Sequence, residues 1–327
     1  MKVLVTGGAG FIGSHLVERL IELGHEISVI DDLSGGGSEF AELLREHPRC
    51  TLVEDSILNR ETVEELVQSN DCVFHLAALL GVKNCVDDPA KIIEINVEGT
   101  RNIVESCHAS KKKLVFSSTS EVYGKNSDLP FAEDRSDRVL GPTSIHRWSY
   151  ATAKALDEHL CLGYAKRGLR VTVVRYFNTY GTRAEGTPYA GVVPIFINAA
   201  LRGEPLLVHG DGRQTRCFTY VKDCVDGTIR ALRKEAEGGV YNIGTTDEIS
   251  IADMAAKIIQ LSGSSSEIRL VPHETVYGIG YEDMQRRVPD LSKAYAVLGY
   301  EPQTTLDRGL LETISWHRRR LAEKRSG

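Results

Sequence analysis

The sequence contains no long hydrophobic run, no closely spaced cysteine pair and no excess of positive charge. No stretch approaches the roughly 20 apolar residues that a membrane-spanning helix needs, so we expect no membrane contact. The net charge of −6 argues against a nucleic-acid-binding protein, which would be strongly basic. The seven cysteines show no C-x-x-C spacing, and no histidine, cysteine and aspartate cluster has metal-ligand spacing. We therefore expect reduced thiols, a cytoplasmic location and no metal site.

Short apolar runs alternate with segments of helical periodicity over the first half of the chain. The strand candidates are Lys2–Thr6, Glu26–Ile30, Thr51–Glu54, Cys72–Leu76, Leu114–Ser118 and Val171–Arg175. The helix candidates between them are Phe11–Leu23, Glu61–Gln68, Pro89–Ser110 and Trp148–Lys166. This alternation predicts βαβ units, and the nearly continuous apolar strands predict a sheet covered on both faces. The expected fold class is α/β, with a Rossmann-like doubly wound parallel sheet.

The pattern changes after Phe177, where the elements become shorter and glycine and proline more frequent. The candidates there are strands at Leu206–His209 and Val240–Ile243 and helices at Pro194–Arg202, Val221–Glu235, Ile251–Ser262 and Leu306–Arg319. Val240–Ile243 is a candidate to rejoin the main sheet. We therefore expect a smaller, interleaved C-terminal substrate domain. The predicted boundaries are 1–177 plus about 215–245 for the Rossmann domain, and about 178–214 plus 246–327 for the substrate domain.

A glycine-rich turn joins the first predicted strand to the first predicted helix. Gly7, Gly10 and Gly13 let the backbone turn sharply and approach a pyrophosphate, which the helix N-terminus then binds. Asp31 ends the next strand, where a carboxylate accepts hydrogen bonds from the adenosine ribose and repels the extra phosphate of NADP. NAD is therefore the predicted cofactor, with turn capping as the alternative role of Asp31. Asp55 either faces the adenine or caps the segment that follows it.

Tyr150 and Lys154 stand four residues apart, so on a helix they share one face. The Lys154 ammonium would favour the phenolate and lower the pKa of Tyr150. Tyr150 could then remove a proton from a sugar hydroxyl while hydride leaves the same carbon. Thr119 follows the fifth strand, at the edge where parallel sheets bind ligands, and could hydrogen-bond the same hydroxyl. The alternative is an amphipathic pair without chemical consequence.

Several short motifs occur together in this chain. They are TGGAGFIG at Thr6–Gly13, Ser118–Thr119, the Tyr150/Lys154 pair and RYFNTYG at Arg175–Gly181. In this combination, essentially the whole chain resembles the extended short-chain dehydrogenase/reductase family, also called the NAD-dependent epimerase/dehydratase family. The resemblance implies a two-domain fold, a tightly held NAD that returns to its starting state, and a homodimer. It also implies a UDP-, dTDP- or GDP-linked sugar as substrate.

The same resemblance assigns binding residues. Those expected to contact NAD are Gly7, Gly10, Phe11, Ile12, Gly13, Asp31, Asp32, Asp55, Ser56, Leu76, Ala77, Ala78, Ser117, Tyr150 and Lys154. Those expected to contact the nucleotide sugar are Asn178, Arg183, Val192, Arg216 and Arg287. Asn178 and Arg216 match positions that bind the diphosphate in the family. Val192 lies in GVVPIF, which matches the stretch over the base and fits a UDP-sugar.

Three features narrow the expected reaction. They are the triplet Thr119-Ser120-Glu121, the segment Arg147–Glu158 and the segment Val276–Ala294, which contains Arg287. They resemble UDP-glucuronate decarboxylases, in which oxidation at C4 makes a β-keto acid that readily loses carbon dioxide. Tyr150 and Thr119 at the C4 oxygen would stabilise the developing enolate. Glu121 would repel the substrate carboxylate, and Arg287 would hold it and later help to protonate C5.

The predicted function is therefore an NAD-dependent UDP-glucuronate decarboxylase that makes UDP-xylose or releases the 4-keto pentose. The alternative is a 4-epimerase of UDP-glucuronate or UDP-glucose, because UDP-glucuronate 4-epimerases share these segments. In an epimerase the keto sugar rotates before hydride returns, and Arg183 is a candidate to hold the carboxylate. A non-catalytic NAD-binding regulator is the remaining alternative, although such proteins lose the tyrosine or the lysine of the pair.

Overall fold

The structure is a computed structural model, and it describes residues 1–35, 38–184, 191–272, 282 and 284–326. The strands are β1 Lys2–Thr6, β2 Glu26–Asp31, β3 Cys50–Glu54, β4 Cys72–His75, β5 Lys113–Thr119, β6 Val171–Tyr176, β7 Thr179–Tyr180, β8 Leu206–His209, β9 Thr215–Cys217, β10 Thr219–Tyr220, β11 Val240–Ile243, β12 Glu248–Ser250 and β13 Ile268–Val271. The helices are α1 Phe11–Glu22, α2 Ser38–Glu46, α3 Arg60–Ser69, α4 Val82–Asp87, α5 Pro89–Ile93, α6 Gly99–Ala109, α7 Ser149–Ala165, α8 Val192–Arg202, α9 Val221–Arg230, α10 Ile251–Ser262 and α11 Leu306–Ser326. A π-helical turn at Glu94–Glu98 joins α5 to α6.

Seven strands form one parallel sheet in the order β11-β6-β5-β4-β1-β2-β3. Consecutive side chains of a strand point to opposite faces. Accordingly, Val3 and Val5 lie in one buried cluster, whereas Leu4 lies in the cluster on the other face. Helices cover both faces, so the predicted α/β class with a doubly wound parallel sheet is confirmed.

The return of β11 completes this sheet. Val240–Ile243 pairs with β6 in parallel, with Val240 beside Val173 and Ile243 beside Tyr176. The predicted return of this strand to the main sheet is therefore observed. Outside the sheet, β8 pairs with β13, β9 with β12 and β7 with β10. The domain boundaries given above stay a prediction.

Local sequence explains several helix ends. Asn59 and Ser250 cap α3 and α10 by accepting a backbone N–H with their side chains. Gly203 and Gly263 end α8 and α10 in the left-handed conformation that glycine adopts freely. Two helix ends differ clearly from expectation: the segment expected to run to Glu235 leaves α-helical geometry after Arg230, and the last helix continues beyond Arg319 to Ser326.

Two further features of the described residues bear on the functional class. No helix in the described ranges is long and apolar enough to cross a membrane. All seven cysteines are buried and unpaired, namely Cys50, Cys72, Cys85, Cys107, Cys161, Cys217 and Cys224.

Candidate active site

The turn between β1 and α1 leaves no room for a side chain at Gly7, and the start of α1 leaves none at Gly13. Gly7 has φ +70°, and a Cβ there would lie 2.7 Å from the backbone nitrogen of Ala77. A Cβ at Gly13 would overlap the carbonyl oxygen of Gly7. Gly10 caps α1 without a side-chain hydrogen bond, so the first N–H groups of the helix stay available. The turn therefore has the shape and the positive helix end that a dinucleotide pyrophosphate requires.

The predicted adenosine-binding acids make different contacts. Asp31 accepts hydrogen bonds from the backbone nitrogens of Ala9, at 2.9 Å, and Leu33, at 3.0 Å. Asp31 therefore fixes the glycine turn against the end of β2, and burial raises its pKa. Asp32 accepts from Ser34 in an exposed turn. Asp31 therefore caps the turn, and a hydrogen bond from the adenosine ribose to the same carboxylate stays a prediction.

The Asp55 carboxylate caps the segment that follows β3. It accepts hydrogen bonds from Ser56, Asn59 and Thr62, at 2.7, 2.8 and 2.6 Å. The hydrogen bond from the Thr62 hydroxyl is the main cause that lowers the pKa of Asp55. The capping alternative is therefore what the contacts show, and an additional contact of Asp55 and Ser56 with adenine stays a prediction.

A hydroxyl on β1 holds the loop that follows β4. The Thr6 hydroxyl oxygen accepts hydrogen bonds from the backbone nitrogens of Leu76 and Ala77, at 3.2 and 3.0 Å. The same hydroxyl lies 2.7 Å from Nδ1 of His75, and Nε2 of that ring lies 3.0 Å from the Thr100 hydroxyl. Burial lowers the pKa of His75 well below its ordinary value, so the ring is a neutral link in the interior. Leu76 and Ala77 thereby lie beside Gly7, within the predicted NAD site.

Tyr150 and Lys154 both lie on α7, as predicted. The Lys154 ammonium donates to the carbonyl oxygen of Ser117, at 3.0 Å, and lies 4.6 Å from the centre of the Phe116 ring. Burial lowers the pKa of Lys154, and nearby acidic groups oppose that shift. Lys154 is therefore held against the carboxyl end of β5, in contact with Ser117, another of the predicted NAD-binding residues.

The expected low pKa of Tyr150 is wrong for this structure. Burial raises the pKa of Tyr150, and the negative charges of Glu121, Cys85 and Asp157 raise it further. A phenol in an interior site is disfavoured as the anion unless cations outweigh that cost. The role of Tyr150 as the base stays a prediction, and it would require positive charge near the phenol to offset this burial.

Glu121 lies between two buried arginines. Its carboxylate is 2.8 Å from Nη2 of Arg287 and 3.5 Å from Nη2 of Arg147. Arg287 also donates to the Ser120 hydroxyl, at 3.1 Å. Burial alone would raise the pKa of Glu121, but Arg147, Arg287 and Arg216 outweigh it and lower this pKa to about 2. Glu121 is thus a permanent anion and cannot act as a proton donor near neutral pH.

The structure brings the triplet and Arg287 together, as the sequence motifs predicted. Thr119 caps the 3-10 turn Ser120–Tyr123 by accepting from the backbone nitrogen of Glu121. Residues 276–281 and 283 of the Val276–Ala294 segment lie outside the described residues. Arg147 was not assigned a role from the sequence, although its segment was singled out. Nothing in the residue pattern shows that this arginine turns inward.

The predicted substrate residues fall into two groups. Arg216 is buried, donates to the carbonyl oxygen of Thr215 and acts electrostatically on Glu121, so it belongs to the same site. The side-chain oxygen of Asn178 is buried without a hydrogen-bond partner in the described part of the chain. Val192 is the first residue of α8. All three stay predictions as substrate contacts, and a buried carbonyl oxygen without a partner suits a ligand-facing role for Asn178.

Arg183 makes other contacts. Its guanidinium pairs with Glu18 of α1 at 2.9 Å and lies 4.7 Å from the centre of the Phe40 ring. These contacts tie the loop after β7 to α1 and α2. A contact of Arg183 with a substrate carboxylate stays a prediction, and it would require Arg183 to leave Glu18.

A buried polar network supports the catalytic helix. Glu158 pairs with Arg175 of β6 at 2.6 Å and accepts from the Ser118 hydroxyl at 2.5 Å. Arg175 donates to the Tyr123 hydroxyl, which donates to Asn242 of β11. Tyr123 is fully buried and therefore fills the interior. The network joins α7, β5, β6 and β11 behind the site.

These features define an NAD-dependent enzyme, and the chain belongs to the NAD dependent epimerase/dehydratase family, whose model matches residues 3–244. The protein is 50% identical to the UDP-N-acetyl-alpha-D-glucosaminuronate decarboxylase of Bacillus cytotoxicus, over 97% of this chain and 98% of that protein. It is 37% identical to UDP-glucuronic acid decarboxylase 1 of Xenopus tropicalis, over 98% of this chain and 73% of that protein.

Solved structures agree with this assignment. The UDP-glucuronic acid 4-epimerase of Bacillus cereus, in complex with UDP-glucuronic acid and NAD, superposes with a TM-score of 0.87. It is 32% identical, and the match covers 98% of this chain and all of that one. The predicted family and NAD as the cofactor are confirmed. The predicted activity and its alternative, decarboxylation and 4-epimerisation, are the two activities named for these relatives.

Proposed function

We propose that the protein is a decarboxylase of a UDP-linked hexuronate. The observation that carries this proposal is the grouping of Glu121, Ser120 and Arg287 at the end of β5, on the sheet edge where Lys154 is anchored. A C4 oxidation site needs a base and a cation, whereas a site that acts on a hexuronate also needs charged groups that recognise a carboxylate. The 50% identical relative, a uronate decarboxylase, supports the same conclusion.

In the proposed first step, Tyr150 takes the proton of the C4 hydroxyl and Thr119 hydrogen-bonds the same oxygen. NAD, when bound, accepts the C4 hydride and can later return it. Lys154 supplies the positive charge that offsets burial of the phenolate. The product of this step is a 4-ketone with a carboxylate on the neighbouring C5, which is a β-keto acid.

In the second step the bond between C5 and the carboxylate breaks. Carbon dioxide leaves, and the electron pair passes into an enolate on the C4 oxygen, which Tyr150 and Thr119 stabilise. Arg287 orients the carboxylate before it leaves. Because Glu121 keeps Arg287 partly neutralised, the carboxylate is held without being over-stabilised. C5 then takes a proton from water, and return of hydride to C4, with return of the Tyr150 proton to the C4 oxygen, gives the UDP-pentose.

The substrate is proposed to be held through its UDP group by Arg216 and Asn178 at the diphosphate and by Val192 near the base. Arginine suits the diphosphate because its planar group donates to two oxygens at once. The sugar is proposed to be glucuronate or its 2-acetamido form, which share the C4 hydroxyl and the C5 carboxylate that the mechanism uses. The acetamido form is named for the Bacillus cytotoxicus relative.

The test is incubation of the protein with UDP-glucuronate and, separately, UDP-N-acetylglucosaminuronate in the presence of NAD. Mass spectrometry and proton NMR of the sugar nucleotides distinguish the products. Loss of carbon dioxide from either substrate supports the proposal, and the faster substrate identifies the sugar. An unchanged mass with an inverted C4 would establish a 4-epimerase instead. No reaction of either uronate would overturn the proposed substrate class.

We further propose that the protein works as a homodimer in the cytoplasm. Leu156 on α7, Ile93 on α5 and Leu80 before α4 are 52, 48 and 54% exposed. A second copy of the chain would cover these apolar side chains. Seven buried free cysteines suit a reducing compartment. Light scattering should give twice the monomer mass, and Leu156→Glu should shift it toward the monomer; a monomeric wild-type protein would contradict the dimer.

A further inference from the structure

Asp157 is a buried carboxyl group that the proposed mechanism does not use. It lies on α7, three residues after Lys154, and its side chain is 0% exposed. Neither carboxylate oxygen has a hydrogen-bond partner of normal geometry in the described part of the chain. The Thr100 hydroxyl, from α6, acts on it and lowers its pKa only in part. Burying such a group costs folding free energy, so its presence calls for a function.

The neighbouring acid, Glu158, cannot take the same role. Glu158 is engaged by Arg175 through two hydrogen bonds, at 2.9 and 2.6 Å, and by the Ser118 hydroxyl. Its charge is therefore neutralised by a partner on β6. Among the residues that the structure describes, the cation that acts on Asp157 is Lys154, which is one turn away on the same helix. Asp157 is thus the acid left to balance the Lys154 ammonium.

The charged and titratable groups around Asp157 come from several elements. They are Tyr150, Lys154, Glu158 and Cys161 on α7, Cys107 on α6 beside Cys161, and His75 on β4, linked through Thr100. The acids of the π turn, Glu94 and Glu98, are exposed. Burial is the main cause that raises the pKa of Asp157, to about 7. Among these groups, Lys154 is the cation that favours ionised Asp157.

The effect of Asp157 on Lys154 is reciprocal. Burial lowers the pKa of Lys154, and the charge of Asp157 is the largest contribution that raises it again. A neutral lysine would no longer attract the Tyr150 phenolate. Since His75 carries no charge and Glu158 is paired, loss of Asp157 would leave the ammonium with little compensation for its burial.

We propose that Asp157 is a positioning residue that keeps Lys154 charged and so sets the upper pH limit for proton removal by Tyr150. The proposal rests on the C4 oxidation in the proposed function, a step that decarboxylation and 4-epimerisation share. Asp157 does not touch the substrate. It acts through Lys154, and its charge also raises the pKa of Tyr150, so its effect is on the pH range of the hydride step and not on the identity of the product.

The test is Asp157→Asn, which keeps the size of the side chain and removes its charge. The alkaline limb of the kcat/KM profile should move to lower pH by about one unit, a tenfold loss at any pH above the limb. The thermal midpoint is measured beside it but does not decide the outcome, because removing a buried carboxyl group stabilises the fold whereas leaving the Lys154 ammonium uncompensated destabilises it. Asp226→Asn, an exposed acid paired with Arg230 on α9, is the control and should shift neither quantity.

A purely structural role would leave the alkaline limb unchanged, and that outcome would overturn the proposal whatever the thermal midpoint. If Asp157→Asn does not fold, Asp157→Ser serves instead, since it also removes the charge, and the limb should again move to lower pH. An unmoved limb in that variant would also overturn it. Transient NADH absorbance after substrate addition follows the hydride step directly, so an unexpected product would overturn only the proposed function.

Discussion

Replacing Glu121 by Gln removes the negative charge between two buried guanidinium groups and leaves Arg147 and Arg287 without their shared counter-ion. A pKa of about 2 in place of the ordinary 4.5 means that its partners favour the ionised form by roughly 3 kcal/mol. Because this pKa is depressed, the stabilisation is fully present above pH 4.5 and is lost as the pH falls towards 2. At pH 7, Glu121→Gln should therefore lower the free energy of unfolding by up to about 3 kcal/mol.

The effect of Glu121→Gln on kcat and KM can be bounded by the same free energy of about 3 kcal/mol. In Glu121→Gln, the freed Arg287 would bind the substrate carboxylate more tightly in the ground state. Tighter ground-state binding raises the barrier to losing that carboxylate, so KM and kcat should both fall. The upper bound of about 3 kcal/mol corresponds to about a 100-fold loss in kcat. The assay is steady-state release of carbon dioxide, together with urea unfolding at pH 7.

The matched control is Glu248→Gln. Glu248 pairs with Arg286, the residue before Arg287, at 2.6 Å, but this arginine is 58% exposed. An exposed pair is worth at most about 1 kcal/mol, so stability should change little and both kinetic constants should be unaffected. The reasoning would be refuted if Glu121→Gln raised KM while leaving kcat unchanged, or if both variants behaved alike.

Three further predictions concern other parts of the site. Tyr150→Phe should lower kcat by at least about 100-fold while NAD binding, followed by fluorescence, is retained; surviving turnover would identify another base. Gly13→Ala should weaken NAD binding more than tenfold, since its Cβ meets a carbonyl oxygen of the same turn, whereas Gly163→Ala, in open space, should not. Glu158→Gln should cost about 3–5 kcal/mol of unfolding free energy in urea, because Arg175 is left buried without its anion. A loss below about 1 kcal/mol would show that water or another acid replaces that pair.

The main sheet was predictable because its strands are apolar on both faces. Lys2–Thr6 and Val240–Ile243 agree with the structure at both ends, Leu114–Ser118 is one residue short at each end, and the other predicted strands of this sheet differ by one residue at one end. Outside the main sheet, Leu206–His209 also agrees at both ends. The helix α2 was not predicted, since it is short and follows a glycine-rich turn. The strands β7, β9, β10 and β12, of two or three residues, were not predicted either. Their pairing depends on partners distant in the sequence, which periodicity does not reveal.

The site residues that lie in sequence motifs could be identified from the sequence. Glu121 and Arg287 are far apart in the chain, yet their motifs identified both, and the structure places them 2.8 Å apart. Arg147 and Asp157 were not identified, because charged residues on a helix are ordinarily solvated and only tertiary packing turns these two inward. The pKa of Tyr150 was predicted in the wrong direction. The i, i+4 spacing shows the attractive charge of Lys154 but not the burial that outweighs it.

The late position of β11 in the chain constrains how the protein can fold during synthesis. Until Val240–Ile243 leaves the ribosome, β6 is the outer strand of the sheet, and its edge N–H and C=O groups have no partner. Asn242 of β11 also supplies the acceptor for Tyr123. The nascent nucleotide-binding half thus exposes an unpaired strand edge on β6, and at the same time Tyr123 lacks its hydrogen-bond acceptor. A truncation or ribosomal pause before Val240 should therefore promote aggregation, and chaperone demand should fall once β11 has docked.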